Sequence, residues 1–243
     1  MSYIIDFANH PIKYAFRNPS TRRFFGLYLN ECEGTGFDIK VSREYMEENR
    51  WLVGEDSEDD FLEFQALMLA TGNELLTHRR ALFHGVALIW KQKAWIFTAP
   101  SGTGKTTQYR LWKKTLNKEI QVINGDKPLL HCHDDGSVWV HSSPWRGKER
   151  VGVIGRCAPL GGIIYLEQGD HNTIRRLKPN EAARPLFVAF ISYPDTTEQI
   201  KGQAEILNQM LDAVPVWKLT NLGDEASAIL TQNIIKKYLR EDE

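Results

Sequence analysis

The segment Ala99-Pro-Ser-Gly-Thr-Gly-Lys-Thr106 constrains this chain more than any other. Two glycines flank a single residue and run directly into a lysine and a hydroxyl side chain. This is the phosphate-binding loop pattern, except that alanine holds the first glycine position. An apolar run, Ala94-Trp-Ile-Phe-Thr98, enters the segment, and an amphipathic stretch from Lys105 to Leu116 leaves it with helical spacing. Gly102 and Gly104 let the backbone bend until successive N–H groups point at phosphate oxygens, and the helix behind them adds the positive end of its dipole. On that reading Ser101, Gly102, Thr103, Gly104, Lys105, Thr106 and Thr107 hold a nucleotide. Lys105 reaches the β- and γ-phosphates, and the Thr106 hydroxyl binds Mg²⁺. A strand-to-helix turn with no ligand is the competing reading. The strand before and the helix after the loop weigh against it.

The rest of the chain reads as α/β. Short extended segments occupy residues 1–41 (YIIDF, IKYAF, FFGLYL, GFDIKV), and Glu55–Asp60 is an acidic run at the start of a helix whose apolar face carries Phe61, Phe64, Leu67, Met68 and Leu75. Residues 81–90 and 94–99 form two dense apolar runs joined by Lys91-Gln92-Lys93, which predicts a hairpin. Strands follow over Gln121–Asn124, Lys127–Cys132 and Val138–His141, with a turn at Asp134-Asp135-Gly136. GGIIYLEQ is a further buried strand, with NTIRRL as its expected partner. Helices are predicted over Glu181–Ile191, Thr197–Leu211 and Glu225–Leu239, with a strand at VWKLT. The organisation expected is a single domain over 1–243. Residues 1–79 form a β-rich N-terminal lobe plus helix, and residues 80–243 form the core with C-terminal helices.

Composition removes several classes. With 30 Lys+Arg against 31 Asp+Glu, the net charge of −1 argues against a nucleic-acid binder that works by bulk electrostatics. Cys32, Cys132 and Cys157 are too few and too scattered for a disulfide framework. No secretory signal is read at the N-terminus, and no apolar stretch approaches the ~20 residues that cross a bilayer. A cytoplasmic protein is therefore expected, with neither nucleic acid nor membrane as partner.

A phosphate-binding loop needs an acidic companion for its metal. Apolar residues lead into Asn124-Gly125-Asp126-Lys127, which puts Asp126 at the C-terminal end of a strand, where an α/β sheet places its ligand crevice. Asp126 can hold Mg²⁺ through water or accept a proton from an attacking hydroxyl. Ser142-Ser-Pro-Trp-Arg-Gly-Lys-Glu149 follows a hairpin and can fold over a triphosphate. There Arg146 and Lys148 would stabilise the charge of phosphoryl transfer, and Glu149 would support the metal; an exposed charged turn is the alternative. Arg175 and Arg176 read as surface charges or as contacts to an acidic substrate. His131 and His133 share one strand face and Cys132 the other, so His131-Cys132-His133 reads as a hairpin segment, with His141 the only nearby further ligand for a metal. Trp90, Trp95, Trp112 and Trp139 fit either core or adenine packing.

These residues resemble a family. Ser101–Thr107 looks like the nucleotide loop of ATP-dependent phosphoenolpyruvate carboxykinases. His84-Gly85 followed by two strands and the loop looks more like HPr kinase/phosphorylase and the small HPr-kinase-like proteins of peptide maturation. The resemblance covers about Leu82 to Leu130 and extends loosely through GGIIYLEQG. It implies the mixed-sheet P-loop core of that superfamily, with a β-rich N-terminal extension. It makes Lys105 and Thr106 the contacts to ATP and Mg²⁺, Asp126 the retained half of an acidic pair, and His84 an active-site neighbour. Taken alone, His84 reads as a core or capping histidine. The first aspartate of the family pair is Gly125 here, and the chain has no room for the separate N-terminal domain of the bacterial HPr kinases.

Two functions follow as expectations. The first is a kinase that uses ATP and Mg²⁺ to phosphorylate a hydroxyl, a serine on a peptide or protein. The second, motivated by Gly125, is a non-catalytic nucleotide-binding sensor or accessory protein of a peptide-processing system. Carboxykinase chemistry on a small oxo acid is the weakest, because such enzymes carry a metal and substrate lobe without counterpart here. Acceptor, nucleotide preference and homo-oligomeric state stay open.

Overall fold

The computed structural model describes residues 3–31 and 35–241, so Cys32 lies outside the described residues. The strands are β1 (Tyr3–Asp6), β2 (Pro11–Tyr14), β3 (Asn30–Glu31), β4 (Phe37–Ile39), β5 (Arg80–Leu82), β6 (Val86–Trp90), β7 (Lys93–Thr98), β8 (Gln121–Asn124), β9 (Leu129–Cys132), β10 (Val138–His141), β11 (Cys157–Gln168), β12 (Thr173–Arg176) and β13 (Val216–Asn221). The helices are α1 (Arg22–Phe25), α2 (Arg43–Glu48), α3 (Asp59–Leu76), α4 (Lys105–Leu116), α5 (Pro179–Phe187), α6 (Thr197–Ala213) and α7 (Glu225–Glu241).

The Lys91-Gln92 turn joins β6 to β7 with positive φ at both residues (51° and 62°), the twist that suits a two-residue hairpin. Along this hairpin the apolar side chains alternate between two cores. Val86, Leu88, Trp90, Trp95 and Phe97 pack against Tyr109, Trp112 and Leu116 of α4 and Ala228 and Ile235 of α7. Ala87, Ala94 and Ile96 face the opposite core, which holds Leu186 of α5 and Ile206, Leu207 and Met210 of α6. An apolar run buried on both faces therefore becomes the middle of a helix–sheet–helix sandwich. Trp90, Trp95 and Trp112 all belong to these cores, which settles their role as packing.

The larger sheet runs β5-β9-β10-β11-β7-β6-β8, and it branches at the long β11, where β13 pairs with β11 and β12 with β13. The sheet is mixed. β7 and β13 run parallel to β11, while β6 is antiparallel to both β7 and β8. So β7 and β8 point the same way and their C-terminal ends share one edge. The smaller sheet, β3-β1-β2-β4, lies over α3 and forms a third core with Ile5, Ile12, Tyr14, Phe25, Leu67 and Trp145.

Several elements depart from the sequence expectation. The run from Ala81 to Trp90 is two strands, because β5 leaves the hairpin at Phe83-His84-Gly85 and pairs with β9 instead. FFGLYL is helical turn rather than strand. The buried carboxylate of Glu63 accepts hydrogen bonds from the Arg17 and Asn18 N–H groups and the Thr21 hydroxyl, which starts a turn leading into α1. NTIRRL, as β12, pairs with β13 and not with β11. The acidic run is not simply solvated. Only Asp59 and Asp60 enter the first turn of α3, and Asp60 is buried, accepting from Ser20 Oγ at 2.7 Å and pairing with Arg23 at 3.0 Å. No helix among the described residues is long and apolar enough to cross a membrane.

Candidate functional site

The glycine loop leaves β7 at Thr98 and enters α4 at Lys105. Gly104 caps the helix with φ +110° and Gly102 has φ +80°, conformations that a side-chain-bearing residue rarely adopts. Ala99, where the loop pattern has its first glycine, is buried and its methyl joins the α4-side core. Lys105 is 8% exposed and its Nζ donates to the carbonyls of Ala99 (2.8 Å) and Pro100 (3.1 Å). Burial pushes this ammonium down to about 8; Asp126 opposes the shift and Lys127 adds to it. Thr103 turns its hydroxyl onto the Pro100 carbonyl at 2.9 Å.

The second element is the turn after β8. The buried side chain of Asn124 accepts from the N–H groups of Asp126 and Lys127, both at 2.8 Å, a local turn of the kind Asn favours. Its amide donates to the Ser143 carbonyl at 3.1 Å. Asp126 is thereby held at the sheet edge, and its own carbonyl accepts from Gly85 N at 2.9 Å. Asp126 Oδ1 stands 3.5 Å from His84 Nε2 and 2.8 Å from Lys127 Nζ. Burial, with the ammoniums of Lys127 and Lys105 nearby, pushes the His84 imidazole well below its ordinary value although Asp126 opposes the shift, so His84 is neutral at pH 7.

The third element is the loop after β10. Trp145 is buried in the N-terminal core, its ring 5.7 Å from both Phe25 and Phe64 and its Nε1 donating to the Phe64 carbonyl at 3.3 Å. The next residue, Arg146, reaches the cleft wall and lays its guanidinium 5.5 Å from the centre of the Tyr28 ring, which belongs to the same core. Gly125 N donates to the Val151 carbonyl at 3.0 Å. A Cβ on Gly125 would come within 3.1–3.2 Å of Val151 Cβ, Arg146 O and Val151 O. Gly125 is therefore the floor on which this loop rests.

The three elements enclose one cleft of about 470 Å³. Its walls include His84, Asp126, Arg146, Lys148 and Glu149 as well as Ser101, Gly102, Gly104, Lys105, Thr106 and Thr107. Of the loop residues named from sequence, Thr103 alone is off the wall. Glu149 is drawn to Arg110 of α4 as an exposed ion pair, so it bridges the loop to the helix. Arg175 pairs with Glu181 at 2.9 Å on the surface, away from the cleft. His131 and His133 lie on one face with ring centres 4.1 Å apart, while Cys132 is buried in the core as a free thiol. Sequence reading missed Lys127, Asn124 and Trp145. Lys127 had a signal in its adjacency to Asp126, and Asn124 in its position two before it. Trp145 had none, because only packing reveals its core.

No family model matches the chain, and no curated protein sequence matches it. Among solved structures, the Hpr(Ser) kinase/phosphatase from Coxiella burnetii is similar at TM-score 0.38 and 10% identity, covering 67% of this chain and 99% of that one. A likeness this distant carries no weight for the chemistry, which rests on the residues of the cleft.

Proposed function

We propose that this chain is a kinase that uses ATP and Mg²⁺ to phosphorylate a hydroxyl, a serine of a peptide or protein. One observation carries the reading. The glycine loop at the end of β7 and Asp126 at the end of β8 open into the same cleft, with Arg146 and Lys148 over it. Phosphoryl transfer asks little covalent chemistry of a protein; it asks for positioning and for cations where charge develops. The loop N–H groups and Lys105 hold the phosphates, the Lys105 ammonium turning from the Ala99 and Pro100 carbonyls to phosphate oxygens. Arg146 and Lys148 stabilise charge on the transferring group.

Hard oxygen donors suit Mg²⁺, and the exposed Thr106 hydroxyl and the half-buried Asp126 carboxylate, both on the cleft wall, are such donors. When bound there, the ion would neutralise charge shared between the phosphates. Asp126 also takes the proton of the acceptor hydroxyl, its carboxylate held by the Lys127 ammonium at 2.8 Å with neutral His84 alongside.

The test is incubation of purified protein with γ-labelled ATP, Mg²⁺ and serine-containing peptide libraries. Transfer that disappears in Lys105→Met and Asp126→Asn supports the proposal; ATP binding with no transfer to any acceptor overturns it. That second outcome favours a nucleotide-binding sensor or accessory module, for which Gly125 speaks. The loop packs on the place where a second carboxylate would stand.

A further inference from the structure

Away from the cleft, the turn between β1 and β2 meets the end of α3. The turn is tight, with positive φ at Ala8 (55°) and Asn9 (65°) and Phe7 N donating to the His10 carbonyl at 3.0 Å. It presents His10 to Glu74 and His78, which are one helical turn apart. The His10 and His78 rings stack with centres 4.0 Å apart, and their Nε2 atoms lie 3.7 Å and 2.9 Å from the same oxygen, Glu74 Oε1. Arg80 ties the turn to the helix end, donating to the carbonyls of Phe7 and Ala8 on one side and of His78 on the other.

An i,i+4 pair at a helix end explains His78 with Glu74. It does not explain His10. The His10 side chain is only 15% exposed, and its Nε2 is buried with no hydrogen-bond partner among the described residues. A buried polar nitrogen left unpaired is destabilising unless something else satisfies it. It is aimed at a carboxylate, beside a second imidazole, with the three donor atoms all within 4.8 Å of one another.

We infer that His10, Glu74 and His78 bind a divalent metal ion of the zinc class. Two imidazole nitrogens and a carboxylate oxygen form a donor set that zinc takes, with the fourth position open to water. Bonds of about 2.0–2.2 Å place tetrahedral ligand atoms roughly 3.3–3.5 Å apart. The observed 2.9 and 3.7 Å straddle that span and the two imidazole nitrogens lie within 4.8 Å of each other, so the stacked rings must rotate to converge on one ion. His78, 40% exposed, leaves a path from solvent. The ion would tie the β1–β2 hairpin to α3 as a structural staple, because binding to a preformed site adds to folding stability.

The experiment uses the full chain stripped with chelator and titrated with ZnCl₂ alone. Stoichiometry is read by elemental analysis, affinity by competition with a chelating dye, and stability by thermal unfolding. The inference requires one zinc per chain, a rise in Tm on addition, and at least tenfold weaker binding in His10→Asn and His78→Asn. Asp126→Asn and His133→Asn should bind zinc as the parent does. Circular dichroism checks that the variants are folded, and the exposed His78 keeps the test valid if His10→Asn is not. Absence of zinc binding overturns the inference. So does binding that survives both His10→Asn and His78→Asn, or that is lost in Asp126→Asn or His133→Asn instead.

Discussion

His84 Nε2 lies 3.5 Å from Oδ1 of Asp126, although a β-hairpin, the glycine loop and α4 separate the two in the chain. The contact is fixed from both backbones: Gly85 N donates to the Asp126 carbonyl, and Thr98 Oγ1 to the His84 carbonyl at 2.8 Å. Asp126→Asn keeps this frame and removes the proton acceptor. Under the proposed kinase activity, turnover should fall by about 10²–10⁴-fold, the usual contribution of a general base. Initial rates with labelled ATP measure it, and a variant within threefold of the parent would remove Asp126 from the chemistry.

Lys105→Met removes the buried ammonium at the mouth of α4. With ATP at 100 times its Kd the parent gains about 2.7 kcal/mol of stability by mass action. The variant should lose that gain, seen as a Tm that no longer moves with ATP, while circular dichroism stays native. A nucleotide-dependent Tm shift of parental size in the variant would place the phosphates elsewhere.

Trp145 joins the N-terminal core to the cleft loop. Trp145→Ala deletes a fully packed ring and should cost about 3–5 kcal/mol in denaturant unfolding. Trp145→Phe keeps part of the packing but loses the bond to the Phe64 carbonyl, so it should fall between. Both should weaken ATP binding, because Arg146 is the next residue. Unchanged stability in Trp145→Ala would contradict the packing described.

Gly125→Asp would add a second carboxylate at the turn. Its Cβ would meet Val151 and Arg146 at 3.1–3.2 Å, tighter than ordinary contact, and its carboxylate must displace the loop. Overpacking of this kind costs about 1–3 kcal/mol. The expected result is lower stability and no gain in transfer. Higher transfer would mean that the loop yields easily.

Burial pushes the Cys132 thiol up to about 11. In the native protein the group therefore stays protonated through pH 9, where an unfolded cysteine is largely thiolate. Iodoacetamide at pH 8 should label the peptide with exposed Cys157 and spare the one with Cys132 until denaturant is added. Peptide mapping by mass spectrometry reads the difference, and rapid native labelling of Cys132 would contradict its burial.

Much of the framework of the candidate site was legible in advance because its signals are local. The helix after the glycine loop begins and ends where periodicity placed it, Lys105 to Leu116. Asn124 and Val138–His141 likewise end or span strands as expected. What failed was partner choice. Phe24 and Phe25 have strand-like composition yet sit in a helical turn, because Glu63, distant in sequence, satisfies the N–H groups that start it. Arg80 to Leu82 look continuous with Val86, yet they serve a different neighbour.

The sequence by itself determined the glycine loop, its flanking strand and helix, and the acidic turn at Asp126. Each depends on residues within a few positions: backbone freedom at glycine, side-chain period, and an Asn that bonds its own turn. Only the tertiary structure decided that β7 and β8 end at one edge, that Trp145 ties the N-terminal core to the loop bearing Arg146, and that His84 stands against Asp126. Those facts depend on which apolar faces find each other when the chain closes. The glycine loop limits what surrounds it, and packing selects the cleft that it faces.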